Sequence, residues 1–164
     1  MEVYMISYVD GESKFNFRVS GIIIDEKNEK FLTNTAKGID FYVLPGGRVE
    51  IQEDTENALK REIKEELGEE INAVCLKAII ENFFEFDSKK YHELQFFYVA
   101  KLNNKELEKN QKQFLGVENK DIYEWQNIKN IGELNYKPSI MKVVIKEVFS
   151  GDYTFRHIIH KGNG

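Results

Sequence analysis

Three glutamates, Glu62, Glu65 and Glu66, lie close together in a segment that carries a helical repeat of apolar residues. On a helix that turns about 100° per residue, their side chains fall within an arc of about 100° beside the apolar stripe. Like charges three or four residues apart destabilise an isolated helix by roughly 0.2–0.5 kcal/mol per pair, so the cluster needs a positive partner. Mg²⁺ prefers oxygen ligands and binds through carboxylates, water and substrate phosphates. The cluster therefore predicts a metal site.

The sequence upstream of these acids supplies a sharp turn, Pro45-Gly46-Gly47. Two successive glycines let the backbone approach an ion or a phosphate closely, and a main-chain carbonyl there can add an oxygen ligand. The alternative is that the glutamates form a solvated, salt-bridged helix face, which is common on protein surfaces. The glycine turn, with Glu53 and Arg61 spaced between it and the acids, favours the metal site.

The spacing of these residues resembles the Nudix box. Gly47 is followed after five residues by Glu53, and after seven more by the run REIKEELG at 61–68. The box covers about residues 47–69, and the strand-rich flanks resemble the rest of a Nudix domain more loosely. The last box position is normally aliphatic but is Glu69 here. This departure concerns the residues that follow the helix, and the three candidate metal-binding glutamates are unaffected.

The resemblance implies an α/β fold, the α/β/α sandwich of the Nudix hydrolases with a mixed central β-sheet. It also implies that Mg²⁺, or Mn²⁺, is bound by the side chains of Glu62, Glu65 and Glu66, with help from the Gly46 carbonyl. In Nudix hydrolases a metal-activated water attacks phosphorus in a nucleoside diphosphate linked to a variable group. Such a reaction needs neither Cys nor Ser as a nucleophile, because the cation activates the water and stabilises charge on the phosphate.

Further catalytic roles follow from the same resemblance. Glu53 and Arg61 are expected to act as a structural pair that locks the loop onto the helix. Family members differ in the position of the general base; Glu118, in a polar loop, is the first candidate here and Glu93 is the second. The alternative for both residues is a solvated surface acid.

Substrate contacts are expected from basic and aromatic residues near the box. Arg48 and Arg18 are candidates to contact phosphate oxygens. Tyr42 or Phe41 is a candidate to stack on a nucleobase, and packing in the core is the alternative for both aromatic residues.

Two helices are predicted to position these residues. The first covers 54–67, because apolar residues recur there every four positions, and Gly68 follows where a helix C-terminal glycine is favoured. The second runs from Pro138, which the first turn of a helix tolerates, to Phe149. Both helices carry one apolar face that must be buried.

Strands are predicted from alternating or continuous apolar residues bounded by turn residues. They cover 15–24, 31–32, 41–44, 74–80, 83–84, 94–99 and 153–159. The segments at 83–84 and 94–99 are expected to form a hairpin, and 102–120 to form a surface loop or a weakly held helical turn. Strands before, beside and after a central helix predict a mixed sheet covered on both faces.

The composition is that of one globular domain, predicted to cover residues 1–164, with 41% hydrophobic residues. A net charge of −5 argues against a long nucleic acid as a partner, with an RNA 5′ end as the exception. Cys75 is the only cysteine and has apolar neighbours, which predicts a buried thiol without a disulfide. The three histidines are too scattered to predict a zinc site.

The start of the sequence has an acid where a signal peptide carries positive charge. No segment has the roughly 20 apolar residues of a membrane span, so a cytoplasmic protein with no membrane partner is expected. Two functional classes stay open: a pyrophosphohydrolase, and a non-catalytic Nudix-like module that binds a nucleotide and regulates a partner. Retention of all three helix glutamates favours the enzyme. A small-molecule nucleotide is the expected partner, and a homodimer is expected by analogy alone.

Overall fold

A mixed β-sheet forms the centre of the computed structural model, which describes residues 4–105 and 112–162. The described strands are β1 (Ser7–Asp10), β2 (Ser13–Asp25), β3 (Lys30–Ala36), β4 (Gly46–Arg48), β5 (Ile71–Phe86), β6 (Lys89–Leu102), β7 (Gln113–Leu115), β8 (Asp121–Asn127) and β9 (Arg156–Lys161). The described α-helices are α1 (Thr55–Leu67) and α2 (Met141–Phe149). Neither helix is long and apolar enough to cross a bilayer.

The strand order is β7-β8-β3-β2-β6-β5-β9, and β1 and β4 pair with β2 beside this path. The pairs β2–β6 and β5–β9 are parallel, and the other pairs are antiparallel. Strand β2 changes neighbours along its length: its first part pairs with β1 and β4, and its last two residues pair with β3. The mixed sheet predicted from the sequence is confirmed.

The two faces of the sheet are covered by different helices. Leu59 and Ile63 of α1 pack with Val19 of β2 in one apolar cluster, while Val144 of α2 packs with Ile22 of β2 in the other. Alternate residues of β2 thus point to opposite faces, as the pleat requires. Each such side chain stabilises the fold by about 1.5–3 kcal/mol through burial. Helices on both sides of a mixed sheet make the α/β/α sandwich that was expected.

The helix that carries the acids begins and ends as predicted. The Asp54 side chain accepts a hydrogen bond from the Asn57 amide (2.9 Å) and caps the N-terminus. The Gly68 amide donates to the Lys64 carbonyl (2.9 Å) at the C-terminus. The second helix starts at Met141, later than predicted, because Pro138 opens a hydrogen-bonded turn before the helix proper.

Several strand predictions were incomplete because long-range pairing extends or shortens strands. The segments at 74–80 and 83–84 form one strand, β5, which joins β6 through a two-residue turn at Asp87-Ser88 with positive φ angles of 49° and 60°. Residues 41–44 make only isolated bridges. The polar segment 102–120 contains β7, and its residues 106–111 lie outside the described residues. The last strand is β9, shifted from the predicted 153–159.

Cys75 is half-buried and unbonded, so the prediction of a buried thiol was wrong. The cause is local, because β5 shifts register against β6 between Ala73 and Cys75 and again between Leu76 and Ala78. Such bulges interrupt the alternation of inward and outward side chains.

Candidate active site

The backbone at Gly46 lies very close to the sheet, and the backbone at Gly47 lies very close to helix α1. Gly46 has a φ of 151°, and a Cβ there would lie 2.1 Å from the Val19 carbonyl oxygen. A Cβ on Gly47 would lie 2.2 Å from the carboxyl carbon of Glu62. Both distances are far below van der Waals contact, so only glycine fits at either position without a shift of its neighbours. The turn therefore brings bare backbone directly against a helix carboxylate.

Arg61 connects this loop to the helix. Its Nε and one terminal nitrogen donate to the two oxygens of Glu53 at 2.8 and 2.9 Å, which is the bidentate arrangement. The same terminal nitrogen donates to the Arg48 carbonyl (3.1 Å). The other terminal nitrogen contacts Glu62 (3.0 Å) and Glu65 (3.2 Å). One guanidinium thus fixes the loop and orients two of the three helix glutamates.

The three helix glutamates differ in exposure. The side chain of Glu62 is only 11% exposed, whereas that of Glu65 is 60% exposed. Glu66 points inward, and its Oε2 is buried with no hydrogen-bond partner among the described residues. The hydroxyl of Tyr123, beside Glu66, is also buried without a hydrogen bond of normal geometry. Buried carboxylate oxygens are rarely left unpaired, so this pair of groups needs a physical explanation.

Burial also changes the acidity of this cluster. The pKa of Glu66 is raised to about 7, mainly by burial and also by the nearby charges of Glu62 and Asp121, against the opposing effects of Tyr123 and Arg18. Burial likewise raises the pKa of Glu62, although Arg61 counteracts the effect. Perturbed carboxyl groups of this kind are concentrated at functional sites.

The carboxylates are chemically suited to a hard divalent cation. No three metal-binding side chains among residues 4–105 and 112–162 already surround a common point. However, the carboxyl groups of Glu66 and Glu62 are close enough to interact, the Oε2 of Glu66 is unpaired, and the Gly47 backbone lies against Glu62. These are the ligand types that Mg²⁺ and Mn²⁺ prefer. The residues present therefore fit such an ion.

A cavity of about 490 Å³ opens on the sheet, and its lining includes none of the three helix glutamates. Its volume lies within the range of about 300–1,000 Å³ that is usual for small-molecule sites. Arg18 lines the cavity, and its charge also acts on the carboxyl groups of Glu62 and Glu66. Arg18 therefore connects the acidic edge of α1 with the cavity.

The two candidates for the general base lie in different surroundings. The side chain of Glu118 is 70% exposed and pairs with Lys120 (2.5 Å), which lowers the pKa of Glu118. The adjacent Val117 amide donates to the main-chain carbonyl of Glu66 (2.8 Å), so this loop contacts helix α1. Glu93 is buried in the cavity wall.

The candidate substrate-binding residues also lie in different surroundings. Arg48 pairs with Arg18 across β4 and β2, which places both near the box. Phe41 lines the cavity, where the Lys137 ammonium lies 5.5 Å from its ring centre. Tyr42 is not part of the cavity wall; it packs against the core, and its hydroxyl donates to Glu124 (3.2 Å).

Sequence reasoning missed several polar residues of the cavity. Asn82, Gln95 and His160 line it, and the first two are buried. A signal was present, because Asn82 alternates with the apolar Ile80 and Phe84 at positions that face the core. A polar residue on the buried face of a strand needs a partner, and here it faces the cavity.

The NUDIX domain family matches residues 14–148, which is most of the chain and includes the whole box. The chain belongs to the NUDIX family, and the resemblance to the Nudix hydrolases seen in the sequence is confirmed. An 8-oxo-dGTP diphosphatase of Haemophilus influenzae is 37% identical over 84 residues. This match covers 49% of the chain and 59% of that relative, so it spans less than two thirds of the relative's length.

Solved structures share the fold at low sequence identity. A UDP-X diphosphatase superposes with a TM-score of 0.63 at 21% identity, covering 92% of this chain and 68% of that protein. An ADP-ribose pyrophosphatase from Streptococcus suis gives 0.59 at 16% identity, covering 88% and 98%. A MutT protein from Bacillus halodurans gives 0.56 at 22% identity, covering 87% and 89%. These similarities confirm the fold class.

Proposed function

We propose that this protein hydrolyses a phosphoanhydride bond in a nucleoside diphosphate linked to another group, with Mg²⁺ or Mn²⁺ as its cofactor. The observation that carries the proposal is the buried, unpaired Oε2 of Glu66. It lies in a cluster of acids that one arginine cannot neutralise, and Arg18 links this cluster electrostatically to a cavity of substrate size. Membership of the NUDIX family supports the same chemistry.

Glu62, Glu65 and Glu66 would hold the ion, with the Gly46 carbonyl as a further oxygen donor. When bound, the ion stabilises negative charge on the phosphate oxygens and makes a water molecule more acidic. The side chains of the protein orient the metal ligands and bind the substrate. Arg61 orients Glu62 and Glu65 through its contacts of 3.0 and 3.2 Å.

Arg18 and Arg48 are the residues proposed to bind the phosphates. They are cross-strand partners in β2 and β4, and Arg18 lies between the acids and the cavity. Guanidinium groups bind phosphate oxygens in a bidentate manner, which would fix the diphosphate relative to the acids. Phe41 and Tyr42 are the proposed stacking residues, and the position of Phe41 in the cavity wall supports Phe41 more strongly.

Glu118 is our first candidate for the general base. Its loop is attached to α1 through the hydrogen bond from Val117 to Glu66, so a small side-chain rotation away from Lys120 would free a carboxylate near the site. Glu93 is the second candidate and is weaker, because one of its oxygens already accepts a hydrogen bond from Asn16 (3.1 Å).

The proposal is tested by incubating the protein with nucleoside triphosphates, 8-oxo-dGTP, ADP-ribose and nucleotide sugars, with Mg²⁺, Mn²⁺ or EDTA. Products are identified by mass spectrometry in ¹⁸O-labelled water. We expect metal-dependent cleavage with one ¹⁸O in a phosphate product. Glu65→Gln and Glu66→Gln should each lower turnover by about 100-fold or more, since each would weaken binding of the cation that stabilises charge on the reacting phosphate.

Glu56→Gln is the matched control, because Glu56 lies on the same helix but is exposed and pairs with Lys60. Unchanged turnover in Glu65→Gln or Glu66→Gln would contradict the assignment of the metal ligands. Nucleotide binding without any metal-dependent cleavage across the whole panel would instead favour the non-catalytic module.

A further inference from the structure

A row of polar residues crosses four strands on the face of the sheet that lines the cavity. Asn16 of β2 pairs in register with Glu93 of β6, Glu93 with Asn82 of β5, and Asn82 with His160 of β9. Asn16, Glu93 and Asn82 are buried, and His160 is half-buried. Buried polar residues in a row across a sheet need hydrogen-bond partners, which apolar core residues cannot provide.

The hydrogen bonds inside this row leave two groups available to a ligand. The Asn16 amide nitrogen donates to Glu93 Oε1 (3.1 Å), and His160 Nδ1 lies 2.9 Å from Asn82 Oδ1. With His160 as the donor, Asn82 keeps its NH₂ group free. A carboxylate has about four lone-pair sites, so Glu93 keeps most of its acceptor capacity. No ion pair to Glu93 occurs within residues 4–105 and 112–162.

The cavity therefore offers a donor and a strong acceptor side by side. Asn82 and Glu93 are direct cross-strand neighbours, and side chains at such positions on one face are about 5 Å apart at Cβ. Both residues line the cavity.

The next row of the same two strands is aromatic. Phe84 of β5 and Tyr91 of β6 are stacked with their ring centres 4.9 Å apart and an interplanar angle of 4°. Both line the cavity, as does Phe41. Flat aromatic surfaces next to a polar row favour a planar ligand that presents hydrogen-bonding groups along one edge.

We propose that this cavity selects guanine nucleotides, with Glu93 accepting hydrogen bonds from the N1–H and N2–H₂ groups of guanine and Asn82 donating to O6. The inference rests on the proposed function, because it assumes that the cavity holds the nucleoside of the substrate. In this inference Glu93 selects the nucleobase of the substrate and does not act as the general base.

Guanine is the common base whose edge matches this arrangement. It presents an acceptor followed by two adjacent donors, and an ionised carboxylate is an acceptor only. Adenine and cytosine would place a ring-nitrogen lone pair against the Glu93 carboxylate, and uracil presents a single donor between two acceptors. A site built to hydrogen-bond one partner strongly rejects a ligand that leaves its buried polar groups unpaired.

The test measures binding of GMP, AMP, CMP and UMP to the full chain in EDTA, by titration calorimetry and NMR. We expect GMP to bind at least tenfold more tightly than any of the other three. Glu93→Gln should reduce this preference by tenfold or more, because an amide presents one acceptor and one donor. The variant should remain folded, since its side-chain oxygen can still accept from Asn16.

Glu81→Gln is the matched control. Glu81 precedes Asn82 in β5 but pairs with His157 and does not line the cavity. It should leave the ratio of GMP to AMP affinity unchanged. The ratio is measured within one protein sample, so partial unfolding of a variant does not affect it.

Equal affinity for the four monophosphates, or an unchanged ratio in Glu93→Gln, would overturn the inference. Because binding in EDTA needs no turnover, the outcome is separate from that of the hydrolysis assay. A guanine preference without hydrolysis would contradict only the proposed function. Hydrolysis without a guanine preference would contradict only the present inference.

Discussion

Two regions in which the protein buries charged atoms differ in how that charge is satisfied. Lys77 in β5 is 0% exposed, and its ammonium donates to Glu147 (2.9 Å) and to the Thr154 carbonyl (2.7 Å). Glu66 in α1 is half-buried, but its Oε2 atom is buried and has no hydrogen-bond partner of normal geometry among the described residues.

We propose that the difference separates a structural site from a functional one. Lys77 joins β5 to α2 and to the segment before β9, and its two acceptors lie within hydrogen-bonding distance. Burial of a charge costs free energy unless the charge is paired and hydrogen-bonded. The fold satisfies this requirement at Lys77. At Glu66 the neighbouring Tyr123 hydroxyl forms no hydrogen bond of normal geometry, and we propose that a cation completes this second site.

Replacement of Lys77 is expected to have the largest effect on stability. Lys77→Met keeps the volume but leaves the Thr154 carbonyl and part of Glu147 without a partner. Removing one member of a buried pair costs about 3–5 kcal/mol, and we expect the lower end because Glu147 keeps its contact with Arg156. Urea denaturation measures the loss. A stabilisation by Mg²⁺ equal to that of the wild type should persist, and its disappearance would mean that the two regions are not independent.

Replacement of Glu66 is expected to stabilise the metal-free protein, whereas replacement of Lys77 destabilises it. Its folded-state pKa of about 7 lies above the ordinary value of 4.5, so ionisation costs stability progressively as the pH rises between these values. In EDTA at pH 8, Glu66→Gln should therefore be more stable than the wild type by at most about 3 kcal/mol. The gain should shrink towards pH 5. A variant equally stable or less stable at pH 8 would argue that Glu66 has a partner in the fold.

The glycine turn offers a smaller and more local change. Gly47→Ala places a methyl group against the Glu62 carboxylate, which must move to avoid a contact of 2.2 Å. We expect turnover to fall by about tenfold or more, as small misplacements of a catalytic group do, while stability changes by about 1–2 kcal/mol. Gly132→Ala is a control for the loss of a glycine, because open space surrounds that position and its backbone is not in the left-handed region. Unimpaired turnover in Gly47→Ala would show that the close contact between Gly47 and the Glu62 carboxylate is not needed for catalysis.

Local sequence was sufficient to predict helix α1, its glycine end and the grouping of its acids. These features depend on residues a few positions apart, and helical periodicity relates such residues directly. The box spacing of Gly47, Glu53 and Arg61 likewise identified residues that lie together in the structure.

The cavity could not be predicted in the same way. Its polar row combines residues from four strands, and their alignment depends on the register of β2, β6, β5 and β9. Register is fixed by long-range packing and not by local pattern. The burial of Lys77 was also unpredictable, because lysine is almost always exposed and its partners are 70 and 77 residues away.

The central proposal is that the carboxylate of Glu66, whose Oε2 is unpaired, binds a divalent cation. Calorimetric titration of Mn²⁺ and Mg²⁺ into metal-free wild-type protein, Glu66→Gln and the Glu56→Gln control measures this without any substrate. We predict that Glu66→Gln weakens cation binding at least tenfold, whereas Glu56→Gln binds as the wild type does. Wild-type affinity in Glu66→Gln would contradict the account.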